Sequence, residues 1–416
     1  MPLRQLNFAY FGWVILVCSV AAQEKTVSLT FDQIAGHAFE HSPEAAIIRR
    51  SYDVVRADQA LDLQWTNPSL GFSQEVVGDQ PEQYLILSKS IEMPWVRARR
   101  RQSWQFHIEA LGYTKDDQTR RLIGELKVGY IKLKLLETQL ERRAQLKDVI
   151  VNVSGIAQDQ LTEGSLSGVD QHLIQMTLFN INAGSQAIEL MLQSVASQWK
   201  VALGIDALAD LQLLTAIRFQ PVALETTAHY LSLVPGTPGY LQQEMMIQAL
   251  KGRIKMERGR VIPYFNILGG TKRATPSQNG YVAGISIPLP VLNRNRALVH
   301  KQQIELEITV REFGRFQESV RGQIETLVLA IRNLGASLAM METNFEAAPA
   351  MIASALASYQ EGWMSLAELL SAIQIHDHGI QQYFSQLTDY YRSLLELEAL
   401  TGQILVTFAT QEGDRR

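Results

Sequence analysis

The chain states one structural unit twice, with corresponding residues about 196 positions apart, and this internal repeat limits what it can fold into more than any other feature. Pro43 matches Pro238 and Pro68 matches Pro263 at an offset of 195. Ser90-Ile91-Glu92-Met93-Pro94 matches Ser286-Ile287-Pro288-Leu289-Pro290 at 196. Glu163-Gly164-Ser165-Leu166-Ser167 matches Glu361-Gly362-Trp363-Met364-Ser365, and Leu203-Gly204 matches Thr401-Gly402, both at 198. An offset that drifts so slowly along the chain is the mark of a duplication.

The N-terminus stands outside the repeat. Arg4 is the only charge before an apolar run from Phe8 to Val20, and Val20-Ala21-Ala22 offers the small residues that a signal peptidase reads. Residues 1–22 are therefore expected to be a cleaved secretory signal, with an uncleaved anchor as the alternative. Cys18, the only cysteine, lies inside that segment, and Val17 before it does not suit lipidation. A mature chain without a thiol has no disulfide, thiolate metal site or cysteine nucleophile. A length of 416 residues would suit two or three ordinary domains, but two intertwined copies of one unit fit equally. The net charge of -4 gives no support for nucleic-acid binding.

Within each copy the hydrophobic period changes in a fixed order. Leu29-Thr30-Phe31-Asp32-Gln33-Ile34 has the spacing of a capping box on Thr30, and the helix that follows is expected to bend at Ser42-Pro43 and stop before Asn67-Pro68. Its equivalent runs from near Pro238 to before Pro263. After Pro68, Leu70, Phe72 and Val76 alternate with Ser69, Gly71, Ser73 and Glu75. A turn over Gly78–Glu82 leads to a return strand with Leu85, Leu87 and Ile91 on one face and Lys89 as the exception. The second copy has Tyr264–Thr271, a loop over Lys272–Gly280, and a strand placing Tyr281, Ala283, Ile285 and Ile287 on one face. Such strands suit a membrane barrel, with one face to lipid and one to water, and equally a half-buried hairpin in a soluble sandwich.

The segments after the hairpins separate these readings. From Trp95 to about Gln160, and from Leu292 to about Tyr359, helix formers dominate and Pro349 is the only proline. About 66 residues of helix would extend ~99 Å at 1.5 Å per residue, a length that persists only when partners cover it. Turns at Gly164 and Gly362 lead into second helices ending near Leu203 and Leu405. Four strands per chain cannot close a barrel in a membrane, where an open edge leaves backbone groups unpaired, so chains must combine.

These segments resemble the TolC-like outer-membrane efflux proteins. Leu29–Ile34 with His41-Ser42-Pro43-Glu44 and Asn67-Pro68-Ser69-Leu70-Gly71-Phe72 resembles the family's opening. Gly284-Ile285-Ser286-Ile287-Pro288-Leu289-Pro290-Val291-Leu292-Asn293-Arg294-Asn295-Arg296 resembles the heavy-metal branch of CzcC and CusC type, and Ser358–Leu370 resembles the second helix-tip turn. Met93-Pro94-Trp95-Val96-Arg97 departs from the proline-rich junction in the first copy.

The resemblance implies a mainly α fold with a small β portion, in two tandem repeats of helix, hairpin and two long coiled-coil helices. The first repeat spans 23–227, with its hairpin at about 68–93 and long helices at about 95–204; the second spans 228–408, with hairpin at about 263–290 and helices at about 292–405; residues 409–416 form a tail. It further implies a homotrimer in the Gram-negative outer membrane, whose twelve-stranded barrel continues as a helical duct through the periplasm. Its partners would be a periplasmic adaptor and an inner-membrane pump of the proton-driven, RND type. It would have no cofactor and no enzymatic activity.

Particular residues carry two meanings each. Gly164 and Gly362 suit a helix reversal, and the resemblance adds an adaptor-docking tip with Ser167, Ser365 and Leu366 at its surface. Asp170 and Glu368 suit a helix N-terminus; the resemblance adds a ring of carboxylates gating the lumen. Arg97, Arg99, Arg100 and Arg101 begin a helix against its dipole, so either lipid phosphates beside Trp95 or plain solvent must compensate. His376-Asp377-His378 suits a solvated face rather than a metal site, because i and i+2 diverge on a helix, and the remaining histidines read as scattered, without paired spacing. No nucleophile–base or phosphate-loop pattern points to an enzyme. The cargo is open between metal cations, drugs and secreted substrates. A soluble periplasmic coiled-coil adaptor is the competing class; it lacks its usual glycine-rich lipoyl-like domain here.

Overall fold

A computed structural model describes residues 26–77, 80–162, 167–274 and 278–408. The expected signal segment 1–22, Gly164 and the tail 409–416 lie outside these residues. After a short strand β1 (Val27–Leu29), helix α1 (Gln33–His41) breaks at Ser42 and resumes as α2 (Pro43–Asp62), because Pro43 cannot continue a helix but suits the first position of a new one. Ser42 caps that new helix through Ala45 N–H at 3.4 Å. At α1 only half of the expected box forms: Gln33 accepts from Thr30 N–H at 3.0 Å, while the capping position falls on Asp32, whose side chain makes no cap bond.

Strands β2 (Ser69–Val77) and β3 (Gln80–Glu92) form the first hairpin and run directly into helix α3 (Pro94–Thr162). Helix α4 (Gly168–Leu203) returns alongside it. In the second copy, α6 (Pro238–Gly259), β5 (Tyr264–Ala274), β6 (Gln278–Ser286), α7 (Arg296–Gln360) and α8 (Leu366–Thr401) follow the same order. Between the copies lie β4 (Leu211–Leu213), paired in parallel with β1, and α5 (Thr227–Leu233).

The strands are longer than the turn chemistry suggests. β5 continues through Lys272, Arg273 and Ala274, and β6 begins at Gln278, so most of the expected loop Lys272–Gly280 is strand; β3 likewise takes up residues of the expected turn Gly78–Glu82. Cross-strand pairing outweighs the low β propensity of these polar residues: Arg273 sits opposite Gln83 and Asn279, and Lys272 pairs with Glu82 at 2.7 Å. Helix α7 starts four residues later than expected, since Asn295 adopts φ 59° and its side chain donates to the Glu257 carbonyl and carboxylate at 2.9 and 2.6 Å. Helix α8 ends at Thr401 rather than Leu405, at Gly402 with φ 78°.

At 69 and 65 residues, α3 and α7 extend ~104 and ~98 Å at 1.5 Å per residue. Shorter helices cover both: α2, α4, α6 and α8 pack on α3, and α6 and α8 on α7. Near the sheet the packing order is α2, α3, α6, α7; toward the tips it is α4, α3, α8, α7. Pro349 is accommodated inside α7. Midway, the extended segment after Leu203 is clamped by tyrosine hydroxyls: Tyr130 donates to the Leu29 carbonyl and accepts from Thr215 N–H, and Tyr390 donates to the Gln220 carbonyl and accepts from Val222 N–H. This layer has no signal in hydrophobic periodicity, because its order comes from tertiary hydrogen bonds.

Candidate functional site

The four long strands make one antiparallel sheet in the order β2, β3, β5, β6. Register assigns every side chain to a face. Phe72 lies opposite Leu85, Leu85 opposite Thr271, and Thr271 opposite Tyr281; the neighbouring row is Leu70, Leu87, Gly269 and Ala283. On the other face, Ser69, Ser88, Leu268 and Gly284 form one row, and Ser90, Asn266 and Ser286 another. Ser90 donates to Asn266 at 2.6 Å, and Ser69 and Ser88 share a bond of 2.7 Å. One face is thus mainly apolar, while the other mixes polar and small residues with Ile86, Leu268 and Val282.

The apolar face is the more exposed one. Leu70 and Phe72 are 68% and 67% exposed, Tyr281 93% and Ile285 73%, whereas the polar face of β3, β5 and β6 is partly sheltered. In a water-soluble sheet the relation is the reverse, so this surface is made for a hydrocarbon environment. Lys89, the exception, reaches toward the Trp65 ring at 5.8 Å from its centroid, an amphipathic placement suited to the edge of an apolar band. Both edge strands, β2 and β6, have nine residues and, among the described residues, no outer neighbour.

Beneath the sheet, the arginine cluster meets protein groups. Arg97 donates to the Leu63 carbonyl at 2.6 Å and lies 4.1 Å from the Trp65 ring centroid; Arg99 donates to the Lys255 carbonyl at 3.0 Å. Arg100 donates to the Asp62 carbonyl at 2.9 Å and pairs with Glu92. Trp95 is half-exposed and donates to the Gly259 carbonyl at 3.2 Å, and Arg101 is exposed. The compensation sought for these charges therefore comes in large part from the C-terminal ends of α2 and α6, whose dipoles are negative there.

At the tips, Ser167 and Ser365 cap α4 and α8, and each forms a reciprocal box with the carboxylate three residues on. Asp170 accepts from Ser167 Oγ at 2.7 Å and Glu368 from Ser365 Oγ at 2.8 Å. Hydrogen bonds from the Ser365 backbone and hydroxyl hold the Glu368 carboxyl below its ordinary range. Gly362 turns the chain with φ 78°. Leu366, expected at the tip surface, is 7% exposed and belongs to the apolar core with Tyr359 and Leu369; the exposed side chain is Trp363, at 84%.

Asp377 corrects the solvated-face expectation. It accepts two hydrogen bonds from Arg143, at 2.7 and 2.6 Å, and Arg143 is only 2% exposed. Burial, the first cause, lowers the pKa of its neighbour His376. A second correction concerns the histidines: His37 and His41 are four residues apart on α1, a paired spacing, and their ring centroids lie 4.6 Å apart. Among the described residues no group of three or more His, Asp or Glu side chains could hold a metal.

The architecture of an exposed apolar sheet carried on covered helices about 100 Å long is shared with solved outer-membrane channels. CusC matches with a TM-score of 0.73 at 15% identity over 90% of this chain and 92% of that one. The Campylobacter jejuni CmeC outer membrane channel matches at 0.76 and 11% over 97% and 93%, and the open state of the Neisseria gonorrhoeae MtrE outer membrane channel at 0.72 and 12% over 89% and 88%. Residues 238–403, the second copy from α6 to the end of α8, match the outer membrane efflux protein family. A search of curated proteins finds no match. The family and the channels of this fold are transport ducts rather than enzymes.

Proposed function

We propose that this protein is the outer-membrane duct of a tripartite efflux system, a homotrimer that passes heavy-metal cations from the periplasm to the exterior. The observation that carries the reading is the sheet, with its more exposed face apolar and both edges unpaired. Strands alternate in direction, so β6 of one copy and β2 of the next meet antiparallel, and three copies supply twelve strands around a polar lumen. The helices offer matching edges. Ile47, Val54, Met176 and Phe179 stand exposed on α2 and α4 at one side of the protomer, and Ile304, Ile308, Leu329 and Met340 on α7 at the other. Closure would remove these side chains from water at roughly 25 cal/mol per Å² buried.

In this reading a periplasmic adaptor grips the tips around Ser167, Gly362 and Ser365, and an inner-membrane pump drives transport. Asp170 and Glu368, each hydrogen-bonded to its capping serine, would supply three carboxylates each at the constriction and favour cations. The metal cargo rests on the junction motif from Gly284 to Arg296 and on these carboxylates. The fold itself is shared about equally with CusC, CmeC and MtrE, so an organic cargo is the second reading. Deleting the gene and measuring tolerance to copper, zinc, cobalt and nickel salts beside a panel of organic toxicants tests the cargo. Sensitivity to metals alone supports the reading, and sensitivity to organic compounds alone replaces it with the second.

A further inference from the structure

We propose that His37 and His41 form a binding site for a divalent transition-metal ion of the copper, nickel or zinc class. The two imidazoles are four residues apart on α1, on one side of the helix. Their ring centroids are 4.6 Å apart and the planes are tilted by 50°. A metal–imidazole bond of about 2.0–2.1 Å places a ring centroid about 3.2 Å from the ion. Two such rings at right angles around one ion are about 4.5 Å apart, and at the tetrahedral angle about 5.2 Å. The observed spacing falls in this interval without movement of the backbone.

Two further observations point the same way. His37 Nε2 is shielded from solvent and has no hydrogen-bond partner, a donor atom left without an occupation. The pair also sits where two helix ends converge: His41 is the last residue of α1, and a Cβ added at Gly204, which terminates α4, would come within 2.2 Å of the His41 carbonyl oxygen. The negative dipole end of α4 favours a cation there, while that of α1 is offset by the N-terminus of α2 at Pro43. The close backbone approach fixes the end of α1, while the His41 side chain is 56% exposed.

Imidazole ligands select borderline metals rather than calcium or magnesium. The Glu40 carboxylate lies 3.7 Å from His41 Nε2, and water would fill the remaining positions around an ion. The spacing His37-Ala38-Phe39-Glu40-His41 resembles a peptidase zinc signature, but no third protein ligand among the described residues completes one. The site is therefore an open, two-imidazole site, on a different element from the tip carboxylates, and it does not depend on the cargo of the duct.

Titration of the untagged, detergent-solubilised full chain with Cu²⁺, read by electron paramagnetic resonance, tests it. One Cu²⁺ per chain with hyperfine coupling to two imidazole nitrogens is expected. His41→Gln, at an exposed position that leaves the fold intact, should weaken binding about tenfold or more and leave a single coupled nitrogen. His37→Gln should do the same, and His378→Gln should have no effect. Undiminished two-nitrogen binding in His41→Gln, or no Cu²⁺ signal with two nitrogens in the wild type, overturns the proposal.

Discussion

Arg143 on α3 and Asp377 on α8 form a bidentate ion pair across the two copies, in a space that exists because residue 184 on α4 is glycine. A Cβ at Gly184 would lie 2.1 Å from Arg143 Nη1. Gln381 adds a further donor to Asp377 at 3.2 Å. The pair has no counterpart in the repeat, since Met341 and Phe179 stand at the matching offset of 198. One internal contact thus distinguishes the copies and ties them together.

Removing one partner leaves a buried charge alone, which costs about 3–5 kcal/mol, whereas replacing both by apolar residues of similar size is often neutral. Asp377→Leu should lower the thermal midpoint of the purified protein strongly. The Arg143→Met, Asp377→Leu double variant should recover most of the loss, and Gly184→Ala should behave like the single variant. Equal melting of single and double variants would remove the coupling.

The apolar sheet face predicts an asymmetric response to charge. Phe72→Arg should cost about 2–4 kcal/mol if the side chain faces hydrocarbon near the midplane, and should reduce the amount of folded protein in the outer-membrane fraction. Ser73→Arg, one residue along and on the opposite face, should be tolerated. Similar yields of the two variants would contradict the assignment of faces.

The tip caps predict a dependence on pH. Because the folded-state pKa of Glu368 is lowered from 4.5, its contribution is fully present above that value and is lost as the pH falls through the lowered one. Hydrogen exchange in the first turn of α8 should accelerate over that acid range, and Glu368→Gln should flatten the response. Ser365→Ala should raise exchange there at every pH, by an amount corresponding to about 1 kcal/mol.

Asn295 predicts a backbone effect at the junction below the sheet. Its φ of 59° is costly for a branched side chain, so Asn295→Val should destabilise more than Asn295→Gly, although both lose the hydrogen bonds to Glu257. Thermal melting of the two variants orders them; the reverse order would show that the turn conformation differs.

Local signals explain which elements were legible. Pro43, Pro94 and Pro238 start helices, and Gly204, Gly362 and Gly402 end or reverse them, because proline and glycine act within a few residues of backbone. The strand faces followed from period-two alternation. What escaped depends on distant residues: β1 pairs with β4 through contacts 184 positions apart, as Val27 with Leu211, and Asp377 is ion-paired with a buried arginine 234 positions away. The Lys272–Gly280 loop shrank because Lys272 and Arg273 found partners on β3, and Gln278 and Asn279 on β5. The His37–His41 pair was the exception, a purely local spacing that reading by position should have caught.

Oligomeric state and location test the central claim together. Membrane fractionation followed by electrophoresis of unheated and heated samples should place the protein in the outer membrane as a heat-modifiable trimer. Recovery as a monomer with the soluble periplasm would contradict the account of an outer-membrane duct.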